Sequence, residues 1–238
     1  MTDDVQGDTV ERQNQTISRN NWVRGGILLT LSVLLFASGQ SLYQVTFFPY
    51  FSVVADLLLL VAFWYFLRDA GKPGAMLADR RIACTSLIVL AISLIARPFV
   101  DQALVTQGFT NPGSPLPFAA AHVLVEGAGL VALGAFAWLV HKSPRVHRTY
   151  KTIIVWAIIV TIVLLVIEEL FMATSIVAMN FPMLTYTIVA SATWLIHVFG
   201  MLAIAFAAIL AVHHEASLWV TAEAEPLGTV SAPDPHEG

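Results

Sequence analysis

Apolar runs of close to 20 residues recur along the chain, interrupted by short polar stretches or by proline and glycine. Runs of that length are what a helix needs to cross the hydrocarbon layer of a membrane. The pattern predicts six helices over about 25–46, 48–67, 82–100, 117–141, 152–178 and 183–212. Pro49 follows the first, GKPG (71–74) separates the second from the third, NPGSPLP (111–117) precedes the fourth and Pro182 opens the sixth, all residues that break a helical ladder. Membrane-spanning strands would instead show short alternating segments between turns. The fold class expected is therefore all-α: a polytopic transmembrane helix bundle of six spans occupying residues 22–214. Residues 1–21 and 215–238 read as polar tails too hydrophilic to fold alone.

Composition strengthens this reading. Of 238 residues, 57% are hydrophobic and 12% charged, and the mean hydropathy is +0.75. A soluble domain carries roughly a quarter charged residues. The opening stretch, MTDDVQGDTVERQNQTISRNNW, has no leader pattern, so the first apolar run is expected to be a spanning anchor. The single cysteine, Cys84, excludes an intrachain disulfide and any multi-cysteine metal site, and reads as a small packing residue. The formal charge of −4 is segregated into tails and loops, and nothing suggests a nucleic-acid partner. The partners expected are the lipid bilayer and other membrane subunits, or a second copy of the chain.

The placement of basic residues sets an expected orientation. Arg12, Arg19 and Arg24 precede the first span; Arg68, Lys72, Arg80 and Arg81 lie between the second and third; Lys142, Arg145, Arg148 and Lys151 lie between the fourth and fifth. On the opposite side stands Arg97. Cytoplasmic loops collect Lys and Arg, so both termini are expected inside a plasma membrane.

Candidate chemistry comes from polar residues within the apolar runs. LLVIEELFMA (164–173) carries Glu168 and Glu169 side by side. Counted from the outer end at about 1.5 Å per residue, Glu126, Asp56 and the glutamate pair lie roughly two turns deep and His122 about one. His197 is near the middle of the sixth helix. Gln40 and Gln44 end the first, and Arg97 and Asp101 end the third as an expected edge ion pair. All fall in the outer half; the inner half is almost purely apolar. By phase, Glu168 shares a stripe with Thr161 and Ser175, whereas Glu169 lies about 100° round the helix and should serve a different neighbour. Lipid-facing acids are costly, so each polar stripe is expected to turn inward.

Imidazoles and carboxylates on facing helices suit a transition metal, here copper or iron, with His122, Glu126, Glu168, His197 and Asp101 as candidate ligands. Asp56, Glu169, Arg97 and Gln40 complete a polar, proton-handling cluster. Haem held by His122 and His197 ranks below this, because their depths differ. A proton- or cation-coupled transporter or channel and a non-catalytic accessory subunit are the alternatives. His141, His147, His213 and His214 read as solvated residues at the basic side.

The order FVDQALV (99–105), FT (109–110), AAHVLVE (120–126) and IEELF (167–171), with a histidine in the last span, resembles the C subunit of the copper membrane monooxygenases. That resemblance implies a redox-type membrane complex, with Asp101 and His122 at copper-ligand positions. The family's histidine four residues after the aspartate is here Val105, and its Asn-Glu-x-x-His run does not occur. Intramembrane CAAX-type proteases share a glutamate pair but carry an arginine soon after it, where this chain reads LFMATS (170–175).

Overall fold

The computed structural model of the chain describes residues 2–41, 48–103, 116–177 and 183–224. They form helices α1 (Thr2–Ser41), α2 (Phe48–Leu67), α3 (Arg80–Ala103), α4 (Leu116–Lys142), α5 (Arg148–Val177) and α6 (Met183–Ala224). No strand occurs among the described residues. Five helices contain stretches long and apolar enough to cross a membrane: Thr9–Ser38, Arg80–Val100, Ala120–Lys142, Arg148–Phe171 and Ser191–His214. In α2 the apolar segment is Val53–Leu67.

Each helix packs on its neighbours in the chain, and α6 closes on α1, so the six form a ring. Consecutive helices are antiparallel. Ser32 Oγ donates to the Ala55 carbonyl at 2.7 Å, while Gly25, seven residues earlier, lies against Phe66 and Ala62 further along α2. The closing seam has the same sense, since Phe36 meets His197 at 6.1 Å and Gly26 meets Ile209.

Each helix points an apolar stripe outward. On α4, Leu124, Val131 and Trp138 recur at seven-residue spacing and are exposed; on α5, Trp156, Val163 and Leu170 do the same. A soluble protein would bury such stripes. Around a ring whose interior holds the acids, they are the surface that lipid covers. The seams are close because small residues meet there. A Cβ on Gly200 would lie 2.6 Å from Thr161 Oγ1, and one on Gly129 would lie 2.8 Å from Ser93 Oγ. Gly127, by contrast, has nothing within 4 Å of its Cβ direction. Cys84 is exposed and does not fill the core.

One end of the ring is basic and sealed. Asp79 Oδ1 accepts from the Arg81 and Ile82 amides at 2.9 and 3.1 Å and caps α3. Gly71 and Gly74 have φ of 79° and 80°, which lets the α2–α3 loop fold back onto α1; a Cβ on Gly74 would lie 2.6 Å from the Glu11 carbonyl. Ser18 Oγ accepts from the Met76 amide at 3.1 Å. Ser143 donates to the Met76 carbonyl, and Arg145 pairs with Glu11 at 2.8 Å.

These contacts correct one expectation. Residues 2–21 are not a separate polar tail but the first turns of α1, with Gln15, Ser18 and Asn21 buried beneath the loops. Their polarity reflects polar partners in place of lipid. At the other terminus α6 runs on to Ala224, and the rest of the expected 215–238 tail lies outside the described residues.

Above this sealed end sits an aromatic plug. Trp22, Phe63, Phe66 and Phe136 are at most 2% exposed. Phe63 meets Phe136 edge-on at 5.0 Å, and Phe66 stacks on Phe136 at 5.6 Å. The interior is closed there.

Candidate functional site: a polar cavity walled by all six helices

Beyond the plug the ring encloses a cavity of about 730 Å³. Every helix contributes to its wall: Phe36 from α1, Asp56 from α2, Ser93 and Arg97 from α3, Glu126 and Gly129 from α4, Glu168 from α5, and Ser191, Thr193, Trp194 and His197 from α6. Leucines at 59, 90, 94, 130, 133 and 165, with Met201, Val33 and Ala55, add an apolar surface, and Ser32 a further hydroxyl. The expectation that polar stripes turn inward at the end opposite the basic loops holds for these residues.

The acids are not equivalent. Arg97 Nε lies 2.7 Å from Glu126 Oε1 in an ion pair joining α3 to α4. Glu126 is 16% exposed, and such an acid is tolerable only when compensated. Glu169 pairs instead with His122 Nε2 of α4 at 3.2 Å, at the α4–α5 seam and off the cavity wall. The roughly 100° between adjacent helical residues therefore divides the glutamate pair as the phase predicted.

Glu168 faces the cavity and makes no ion pair or hydrogen bond among the described residues. It lies within electrostatic reach of Arg97, Glu126, Glu169 and His122. Among the described residues, Asp56 and Glu126 line the wall with Glu168 and Arg97. His197 is shielded from bulk solvent, and what remains accessible of its ring faces the cavity. Its Nδ1 is enclosed without a hydrogen-bond partner, as are Trp194 Nε1 and Thr161 Oγ1. Pro98 lies inside α3 and cannot donate to the Leu94 carbonyl, which loses its usual helical donor beside the cavity.

As placed, the candidate metal ligands do not form a coordination set. Among the described residues no three His, Cys, Asp or Glu side chains gather closely enough to hold an ion. Glu126 is engaged by a guanidinium, which repels a cation, and His122 is engaged by Glu169. The side chains of Asp101 and Gln40, and all of Gln44, lie outside the described residues. The edge pair expected of Arg97 with Asp101 thus falls outside the described residues; Arg97 also pairs with Glu126 from the next helix.

Two polar groupings carried no signal in the sequence. Asp69, 4% exposed, accepts from Lys72 Nζ at 2.7 Å and from the Asn21 side chain. His147 and His214, 67 positions apart and read as solvated, bring their ring centroids within 4.5 Å beside Tyr150. The packing of α1 against the end of α2 reveals the first, and that of α6 against the start of α5 the second.

No protein-family model, no curated protein and no solved structure matches the chain. The likeness to monooxygenase C subunits rests on its short motifs alone.

Proposed function

We propose that this chain is a six-span protein of the plasma membrane whose cavity opens outward and binds and releases protons or a cation at Glu168. The basic end, with both termini, lies in the cytoplasm by the preference of Lys and Arg for that side. α2, 20 residues long, supplies the sixth span, since in the ring it runs between two helices that cross.

The observation that carries the reading is Glu168: a carboxylate that faces the cavity without an ion-pair or hydrogen-bond partner among the described residues. A buried acid that is neither neutralised nor hydrogen-bonded is costly. A proton or cation taken from the accessible side removes that cost. The aromatic plug of Trp22, Phe63, Phe66 and Phe136, which stands between the cavity and the polar contacts of the basic end, favours exchange at one face over passage through the membrane.

The test is infrared difference spectroscopy of the protein in sealed, oriented proteoliposomes. A carboxyl band absent in Glu168→Gln should respond to external pH and stay unchanged when only the internal pH is stepped. A band responding equally to both sides, or unaffected by the substitution, would refute the assignment.

A further inference from the structure

We infer that the cavity receives an amphipathic organic cation, with its ammonium head at Glu168 and its apolar body over the leucine floor. This rests on the reading of Glu168 as the exchanging carboxylate and adds the class of ligand. Charge comes first. Arg97 is paired with Glu126, whereas Glu168 faces the cavity without an ion-pair partner among the described residues, and a carboxylate so placed repels an anion.

The choice between an inorganic and an organic cation follows from what surrounds the acid. A metal ion stripped of water needs several oxygen or nitrogen ligands, and no such set forms among the described residues. Beside Ser32, Ser93, Ser191 and Thr193, the wall carries an apolar stretch of Leu59, Leu90, Leu94, Leu133 and Met201, a surface that an alkyl or ring body covers better than a hydrated ion does. Phe36 and Trp194 also line the cavity, and aromatic faces attract ammonium groups. His197 adds a shielded polar ring with an unpartnered Nδ1. The volume of about 730 Å³ falls in the range typical of small-molecule sites, roughly 300–1,000 Å³, whereas a bare ion would occupy a small fraction of it.

The experiment is calorimetric titration of the full chain in nanodiscs against octylammonium, octyltrimethylammonium, methylammonium, 1-octanol and octanoate, with empty nanodiscs subtracted. Both octyl cations should bind saturably and at least about tenfold more tightly than the alcohol, the carboxylate or methylammonium, a difference of about 1.4 kcal/mol. Glu168→Gln should remove that preference while leaving octanol binding unchanged, and Glu168→Asp should retain part of it. Leu133→Trp, which fills the floor, should weaken both octyl cations.

Equal affinity for octanol and octylammonium would overturn the proposal. So would methylammonium binding as tightly as octylammonium, or an unchanged preference in Glu168→Gln. If the octyl cations fail to bind while the Glu168 carboxyl band still follows external pH, the ligand class is wrong and the proton-exchange reading stands. If the band is also silent, that reading falls with it.

Discussion

Asp69 and Glu168 are both acids in the interior of the same ring, near opposite ends, and their surroundings differ in every respect. Asp69 is enclosed by donors: Asn21 from α1, Lys72 at 2.7 Å and Arg68 at 4.0 Å. Its end of the ring is tied by Ser18, Ser143 and Arg145 and backed by the aromatic plug. Glu168 has helices around it but no donor on it, and it looks into a cavity of about 730 Å³. One acid fastens a loop to a helix; the other has no ion-pair or hydrogen-bond partner among the described residues. Asp69 is buried and compensated by its neighbours, whereas Glu168 is half-buried and has no such donor.

Substitutions can break this contrast, and the largest effect belongs to the plug. Phe136→Ala removes a 0%-exposed ring that two other phenylalanines contact. It should cost about 3–5 kcal/mol, read as a lowered unfolding midpoint in detergent, and should raise proton leak in liposomes. A variant that unfolds earlier without leaking would mean that the ring is closed by something other than the plug.

Next comes Asp69→Ala, which strips the acceptor from Asn21 and Lys72. A loss of roughly 1–3 kcal/mol is expected, with cation binding at the far cavity untouched. Comparable in size is Gly200→Ala, whose new Cβ would fall 2.6 Å from Thr161 Oγ1. Overpacking there should cost about 1–3 kcal/mol. Much of that should return in the Thr161→Ala background, a coupling that a double-mutant cycle measures directly; strict additivity would show that α5 and α6 do not touch at this point.

The smallest effect on stability is expected from Glu168→Gln. Because no protein donor is lost, the unfolding midpoint should move by no more than the equivalent of about 0.5 kcal/mol while the external-pH response disappears. A destabilisation as large as that of Asp69→Ala would place Glu168 among the structural acids and erase the contrast.

Much of this was legible along the chain. The helix centres, the alternating direction, the inward turn of Glu126, Glu168 and His197 and the separate duties of Glu168 and Glu169 all follow from run length and 3.6-residue periodicity, and the structure has them so. The pairing of His122 with Glu169 rather than with metal was not legible, nor was that of Arg97 with Glu126. Both cross between helices, and phase says which face a residue occupies without naming the residue opposite. The same limit hid the burial of Gln15, Ser18 and Asn21, because a polar helix covered by polar loops has the composition of a solvated tail.

By itself the sequence determined that the chain forms long apolar helices fit for a membrane, where they break, and which stripe of each carries polar atoms. These are local properties, set by backbone hydrogen bonding in lipid and by the helical repeat. The tertiary structure alone decided that the helices close into a ring, that aromatics plug one end, and which acid goes without a partner. Those outcomes depend on contacts between residues distant in the chain, such as Phe36 with His197 and Phe63 with Phe136. No local pattern encodes the distance between them.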